Sequence, residues 1–206
     1  MDQKTSSDTI ARGLVDASDR ATARRELRAR RAALCGELRA QADGAIRVRM
    51  LELVRECAPR VLAVYWPMLA EPDLRASFGD WDQSGVTLAL PRVTASASPL
   101  DFLAWRPGDP LEVGPHDTRQ PAEGTPVLPD LILLPCLGFD ANCHRLGYGG
   151  GYYDRTLARL TGASTIGVSY DDCEICNFDA QPYDLPLGAI VTPRRVLRRA
   201  LGPAGS

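Results

Sequence analysis

The sequence predicts an α/β protein: a mainly parallel sheet flanked by helices on both faces, a three-layer α/β/α arrangement of Rossmann-like type in a single domain. Three observations carry this expectation. Short apolar runs recur at Val61–Tyr65, Val86–Leu90, Asp130–Pro135, Thr165–Val168 and Ala189–Val191, as strands covered on both faces require. Helix-sized segments separate most of them. At 206 residues and 45% hydrophobic content, the chain is long enough to enclose one substantial core.

Taken in order, residues 1–18 contain Lys4, Ser6, Ser7, Asp8 and Gly13 without sustained periodicity. Residues 1–20 are therefore expected to be a disordered tail ahead of one domain over 21–201. Asp19 or Thr22 can cap the first helix. Leu27, Leu34 and Leu38 share one helical face, and Ile46, Met50, Leu53, Val54 and Cys57 share another. Gly44 marks the junction of these two amphipathic helices and Pro59 closes the pair. Beyond the strand Val61–Tyr65, Glu71-Pro72-Asp73 opens a short helical stretch, with Pro72 in the first turn and the acids at the positive end of the dipole. Residues 94–129 are rich in Pro, Gly, Ser and Thr and are expected to be an excursion, with Phe102–Trp105 as its one strand and His116 exposed.

The charge balance narrows the partners. Twenty-four Lys and Arg against 26 Asp and Glu give a net charge of −2, which offers no general attraction for nucleic acid or an anionic membrane. No apolar run approaches the roughly 20 residues of a bilayer span, and residues 1–20 lack the apolar stretch of a signal peptide. A cytoplasmic protein with six reduced cysteines is expected, since a chain of this size builds its core without a disulfide framework. Yet residues 19–60 hold 11 arginines against six acids. That local excess suits a small anionic ligand, and it also reads as a solvated helix face.

Residues 130–160, DLILLPCLGFDANCHRLGYGGGYYDRTLARL, stand apart. They read as strand, loop, glycine run and helix, with Gly147, Gly149, Gly150 and Gly151 immediately before the helical stretch Tyr153–Leu160. Glycines let backbone N–H groups approach an anion, and the helix N-terminus behind them adds partial positive charge. Arg145 offers a planar fork for phosphate oxygens, Asp154 a carboxylate for an accompanying divalent cation, and Tyr152 and Tyr153 flat faces for a heterocycle. The loop matches neither the Walker nor the dinucleotide fingerprint, and a glycine cluster is also the mark of a flexible turn. Cys173-Glu174-Ile175-Cys176 is a lone CxxC, and Cys136, Cys143 and His144 complete no zinc spacing.

The string FDANCHRLGYGGGYYDR closely resembles the C-terminal signature of the 5-formyltetrahydrofolate cyclo-ligases, also called methenyltetrahydrofolate synthetases. Arg24-Arg25-Glu26-Leu27-Arg28 resembles that family's basic N-terminal helix. Tyr65-Trp66-Pro67 with Glu71-Pro72-Asp73 resembles its first strand and acidic turn, and Asp184 before Ile190-Val191-Thr192-Pro193 its closing strand. The resemblance spans roughly residues 22–195. It implies ATP-dependent, Mg²⁺-requiring cyclisation of 5-formyltetrahydrofolate to 5,10-methenyltetrahydrofolate with release of ADP and phosphate. The formyl oxygen would be phosphorylated and N10 would then attack the activated carbon, so the protein mainly positions groups and neutralises charge.

The roles implied by resemblance follow residue by residue. Arg24, Arg25, Arg28, Arg145 and the run Leu146, Gly147, Tyr148, Gly149, Gly150, Gly151, Tyr152 and Tyr153 would bind ATP, with Arg145, Tyr152 and Tyr153 closest to the chemistry. Trp66, Glu71, Tyr148, Gly149, Gly150, Gly151 and Tyr152 would face the folate, Glu71 accepting hydrogen bonds from the pterin. Asp154 and Asp184 would hold Mg²⁺. Without the resemblance, Glu71 is a first-turn acid, Trp66 a strand-end core residue and Asp184 a turn residue. A non-catalytic nucleotide- or folate-binding relative is the alternative reading. The expected partners are the two small molecules, with the chain a monomer or weak dimer.

Overall fold

The computed structural model describes residues 13–199. In chain order the elements are β1 (Val15–Asp16), α1 (Arg20–Ala33), α2 (Gly36–Cys57), β2 (Val61–Ala63), α3 (Phe78–Gln83), β3 (Thr87–Arg92), β4 (Asp101–Ala104), β5 (Leu111–Val113), β6 (Arg119–Pro121), β7 (Leu131–Pro135), β8 (Gly138–Phe139), β9 (Arg145–Leu146), α4 (Tyr152–Arg159), β10 (Ser164–Val168), β11 (Ile175–Cys176), β12 (Ala189–Val191) and β13 (Val196–Arg198).

Seven of the strands form the central sheet in the order β13-β12-β10-β7-β2-β3-β4. The five inner strands are parallel, and β13 and β4 close the two edges antiparallel. The apolar runs are nearly continuous because successive residues enter cores on opposite faces. Leu131, Leu133, Ile166 and Val168 pack with Ile46, Met50, Leu53 and Val54 of α2. Ile132, Leu134 and Ile190 pack on the other side with Leu157 of α4 and Phe102 of β4. The expected mainly parallel sheet between helices is the observed architecture.

The helix boundaries differ from expectation. Asp19 caps α1, its Oδ1 accepting from the Ala21 N–H at 3.0 Å. The break between the first two helices falls at Leu34–Cys35, however, and not at Gly44. Gly36 makes the turn with φ +56°, a left-handed backbone that glycine adopts without a Cβ clash, whereas Gly44 lies inside α2 with open space beside it. The new helix resets the phase of the apolar face, which leaves Leu38 67% exposed; Cys57, the last residue of α2, is exposed at the helix end although Ile46, Met50, Leu53 and Val54 of its expected face are buried. Glu71-Pro72-Asp73 is likewise not a helix start but irregular backbone that follows the turn at Leu69–Ala70. Helical structure begins with a 3₁₀ turn at Arg75–Ser77 that leads into α3.

The 94–129 excursion contains β4 and also the unanticipated antiparallel hairpin β5–β6. Of the expected tail, residues 1–12 lie outside the described residues, as do residues 200–201 at the end of the expected domain. Residues 13–20 are part of the fold: β1 pairs in parallel with β11, and Val15 and Ala17 are buried in the core.

Candidate functional site

The strand order creates the site. The chain leaves β2 toward β3 on one side and β7 toward β10 on the other, so the loops after the C-terminal ends of these adjacent strands diverge. An open parallel sheet binds ligands in the crevice at such a reversal. The loop after β2 carries Trp66 and Glu71; the segment after β7 carries Arg145 and the glycine run; α1 supplies an arginine stripe.

On the phosphate-loop side, Gly149 (φ +99°) and Gly151 (φ +66°) occupy left-handed backbone, and Gly151 is the N-cap of α4. A Cβ on Gly149 would sit 3.5 Å from the Arg24 guanidinium, and one on Gly151 would sit 2.8 Å from Arg155 Nη1. Arg24 Nε donates to the Gly147 carbonyl at 2.8 Å. Arg145 is buried in β9 and pairs with Asp154 in the first turn of α4 at 2.5 Å. Arg155 Nη2 donates to the Gly150 carbonyl at 2.6 Å, closing the loop from below. Leu146 is a core residue and presents only its backbone, whose carbonyl accepts from the Leu137 N–H. Tyr152 meets the excursion: His116 Nε2 lies 3.4 Å from its hydroxyl, and the two rings are edge to face at 5.9 Å.

The arginines of α1 divide by helical phase. Arg20, Arg24, Arg28 and Arg31, four, four and three residues apart, face the loops, exposed Arg28 lying 5.6 Å from the Tyr148 ring, whereas Arg25, also exposed, turns back to Thr22 of its own helix. Arg25 is thus not brought to the site. Arg20 and Arg31 escaped the motif reading, although their spacing from Arg24 and Arg28 was a usable signal. Arg20 grips Asp184 through two hydrogen bonds of 3.2 and 2.6 Å and stacks over Phe178. Burial pushes the Asp184 carboxyl up, but the Arg20 bond, the Gln181 N–H and the charges of Arg20 and Arg145 outweigh it and hold the group below the ordinary carboxylate range. Burial, and behind it the charges of Arg20 and Arg28, depress the Arg24 guanidinium against the opposing charges of Asp184 and Asp154. Arg20, Arg24, Arg28 and Arg145 exceed their carboxylate neighbours Asp154 and Asp184 by two charges, a local field suited to a polyanion.

On the opposite wall, Glu71 is only 4% exposed. Its Oε2 accepts from the Met68 N–H at 3.0 Å, and burial pushes its carboxyl above the usual value against the opposing effects of that bond, of the Arg31 charge and of the Tyr148 hydroxyl. Tyr148 therefore bridges the two walls: it belongs to the glycine loop and reaches Glu71. Tyr153 packs into the second core, its phenol raised by burial and acted on by the charges of Glu71 and Arg145. Trp66 stands edge-on to Trp105 at 6.1 Å, with Arg75 over its face at 5.4 Å.

Among the described residues no three or more His, Cys, Asp or Glu side chains cluster as a metal site. All six cysteines are unpaired, and burial pushes the Cys136 and Cys173 thiols up to about 12 and about 11. These thiols are unsuited to ligation or nucleophilic attack at neutral pH.

A switch-point crevice with a glycine loop, a convergent arginine stripe and a buried carboxylate defines an α/β enzyme-type site for a phosphate-bearing ligand and a second, hydrogen-bonding one. The model of the 5-formyltetrahydrofolate cyclo-ligase family matches residues 16–193. The chain is 30% identical over 178 residues to the 5-formyltetrahydrofolate cyclo-ligase of Escherichia coli K12, covering 82% of this chain and 98% of that one. It is 32% identical over 148 residues to that of Mycolicibacterium smegmatis, covering 66% and 75%. The NMR structure of Aquifex aeolicus 5,10-methenyltetrahydrofolate synthetase superposes with a TM-score of 0.79 at 26% identity, over 91% of this chain and 96% of that one. The chain belongs to the 5-formyltetrahydrofolate cyclo-ligase family, a family of enzymes.

Proposed function

We propose that the enzyme converts 5-formyltetrahydrofolate to 5,10-methenyltetrahydrofolate, consuming ATP and releasing ADP and phosphate. The observation that carries this reading is the convergence on one crevice of an arginine-lined glycine loop and, across from it, a buried carboxylate. Arg24, Arg28 and Arg145 hold the triphosphate with the N–H groups of the 147–151 run and the positive end of α4. Glu71 accepts from pterin N–H donors, with Trp66 as a wall and Tyr148 between the two ligands.

The formyl oxygen attacks the γ-phosphorus as the bond to ADP breaks. The N10 lone pair then adds to the activated formyl carbon, N10 loses its proton, and the C–O bond breaks to release phosphate. No protein nucleophile is required. Arg145 and Arg24 neutralise charge on the phosphoryl group, and Tyr152 and Tyr153 flank it, the Tyr153 phenol remaining a donor because burial keeps it protonated. Arg145 engages only Oδ1 of Asp154, so Asp154 would hold Mg²⁺ together with substrate phosphates, whereas Asp184 would join it only by giving up part of its two-oxygen pairing with Arg20. When bound, the ion supplies further neutralisation of phosphate charge. Both walls come from one chain, which supports a monomer or weak dimer as the working unit, and the same reading places it in the cytoplasm.

The test is direct. The purified chain with 5-formyltetrahydrofolate, ATP and MgCl₂ is expected to generate methenyltetrahydrofolate absorbance and equimolar ADP. A flat trace from protein shown to be folded by circular dichroism rejects the reading.

A further inference from the structure

We infer that Arg31 is a positioning residue for the folate side of the site, fastening the turn that carries Glu71 to the glycine loop. The inference rests on the reading of Glu71 as the carboxylate that receives the pterin.

Arg31 is the deepest member of the α1 stripe, 1% exposed. Its Nε and Nη2 donate to the Leu69 carbonyl at 3.2 and 2.7 Å; Nη2 also bonds the Tyr148 hydroxyl, and the guanidinium lies 5.4 Å from the Tyr148 ring. One side chain thus joins the loop after β2 to the loop after β7. Arg31 Nη1 is buried without a hydrogen-bond partner among the described residues. A buried guanidinium with an idle donor is a poor source of stability, and an apolar side chain would fill the space at lower cost. Its presence is better explained by what it holds.

What it holds is strained. Leu69 and Ala70 are consecutive non-glycine residues in left-handed backbone, with φ of 47° and 61°. Such residues persist where surrounding contacts over-determine them, and they gather at functional sites. Here the contacts are the two Arg31 bonds to Leu69, the Glu71 N–H to the Met68 carbonyl at 2.9 Å, and the Met68 N–H to Glu71 Oε2 at 3.0 Å. Removing Arg31 leaves the turn only its own short-range bonds.

The same arginine also acts on the charge of Glu71, behind burial and the Met68 N–H. The groups that act on this carboxylate are Arg31 from α1, Tyr65 from the loop after β2, Cys136 after β7, Tyr148 from the glycine loop and Tyr153 from α4. Burial pushes all three tyrosines and the thiol upward, so they stay neutral and Arg31 is the cation of the set. Burial also pushes the Glu71 carboxyl up, and Arg31 opposes that rise.

Two variants test this. Arg31→Met keeps the stem but removes charge and fork; Arg31→Lys keeps the charge and loses the fork. The Met variant is expected to raise KM for 5-formyltetrahydrofolate about tenfold, the order for a lost bond to a charged group, with KM for ATP nearly unchanged. Its acid limb of kcat/KM for folate moves to higher pH, and the Lys variant returns the limb but not the full affinity. Equal rises in both KM values with an unmoved limb overturn the inference. A ¹³C NMR titration of the Glu71 carboxyl without substrates reads the coupling independently of turnover. A higher midpoint in the Met variant supports it and an unchanged one refutes it, even if the wild type proves inactive on folate. If the Met variant does not fold, the Lys variant decides: a raised folate KM with unchanged ATP KM supports the clamp, and parallel changes overturn it.

Discussion

Replacing Gly151 by alanine separates the glycines that the loop geometry requires from those it merely tolerates. Gly151 has φ +66° and ψ 12° at the N-cap of α4. An L-residue there costs about 1–2 kcal/mol, partly offset by the lower entropy of the unfolded alanine chain. The new Cβ also lands 2.8 Å from Arg155 Nη1, and moving that side chain endangers its 2.6 Å bond to the Gly150 carbonyl, a further ~1 kcal/mol. The net loss is about 2 kcal/mol, which for a domain of this size lowers Tm by about 4–8 °C. Gly147 is the control, because it has no atom within 4 Å of its would-be Cβ and no left-handed φ. Gly147→Ala is therefore expected to be neutral or slightly stabilising. Differential scanning calorimetry of both variants without ligands reads the contrast. Equal Tm values for the two would refute the reasoning from backbone conformation.

Two further outcomes follow from the charge layout. Arg24→Ala removes the guanidinium that meets the glycine loop and is expected to raise KM for ATP about tenfold, whereas exposed Arg25→Ala changes it by no more than about twofold; steady-state kinetics distinguish them. Asp184 has a folded-state pKa below its ordinary 3.8, so its stabilising contribution is complete above 3.8 and is lost as pH falls through the lower folded value. The stability gap between wild type and Asp184→Asn, read from denaturant midpoints, is expected to be widest at neutral pH and to close in acid; a gap independent of pH contradicts the Arg20–Asp184 linkage.

The parts of the fold that could be read in advance are those with a local cause. Leu131–Leu134 had to be a central strand because an unbroken apolar run can be buried only where both faces are covered. The Gly147–Gly151 run ahead of a helical stretch was legible as a place where backbone could approach an anion, although glycine spacing alone equally allowed a flexible turn. Two-residue strands such as β1 and β8 have no period to detect. The turn at Gly36 was hidden because glycine by itself does not say whether it breaks a helix or, like Gly44, sits inside one.

Chain chemistry alone therefore settled the layer architecture, the glycine loop and the positive character of the segment that becomes α1. It could not say which arginines matter, because a side chain's neighbours depend on helix phase and on how α1 lies against loops 38 to 164 residues away. Packing sent Arg25 to solvent, gave Arg20 to Asp184 and drove Arg31 beneath Tyr148 and Leu69. It likewise buried Glu71 opposite the glycine loop, because strand order, a long-range property, places the ends of β2 and β7 side by side.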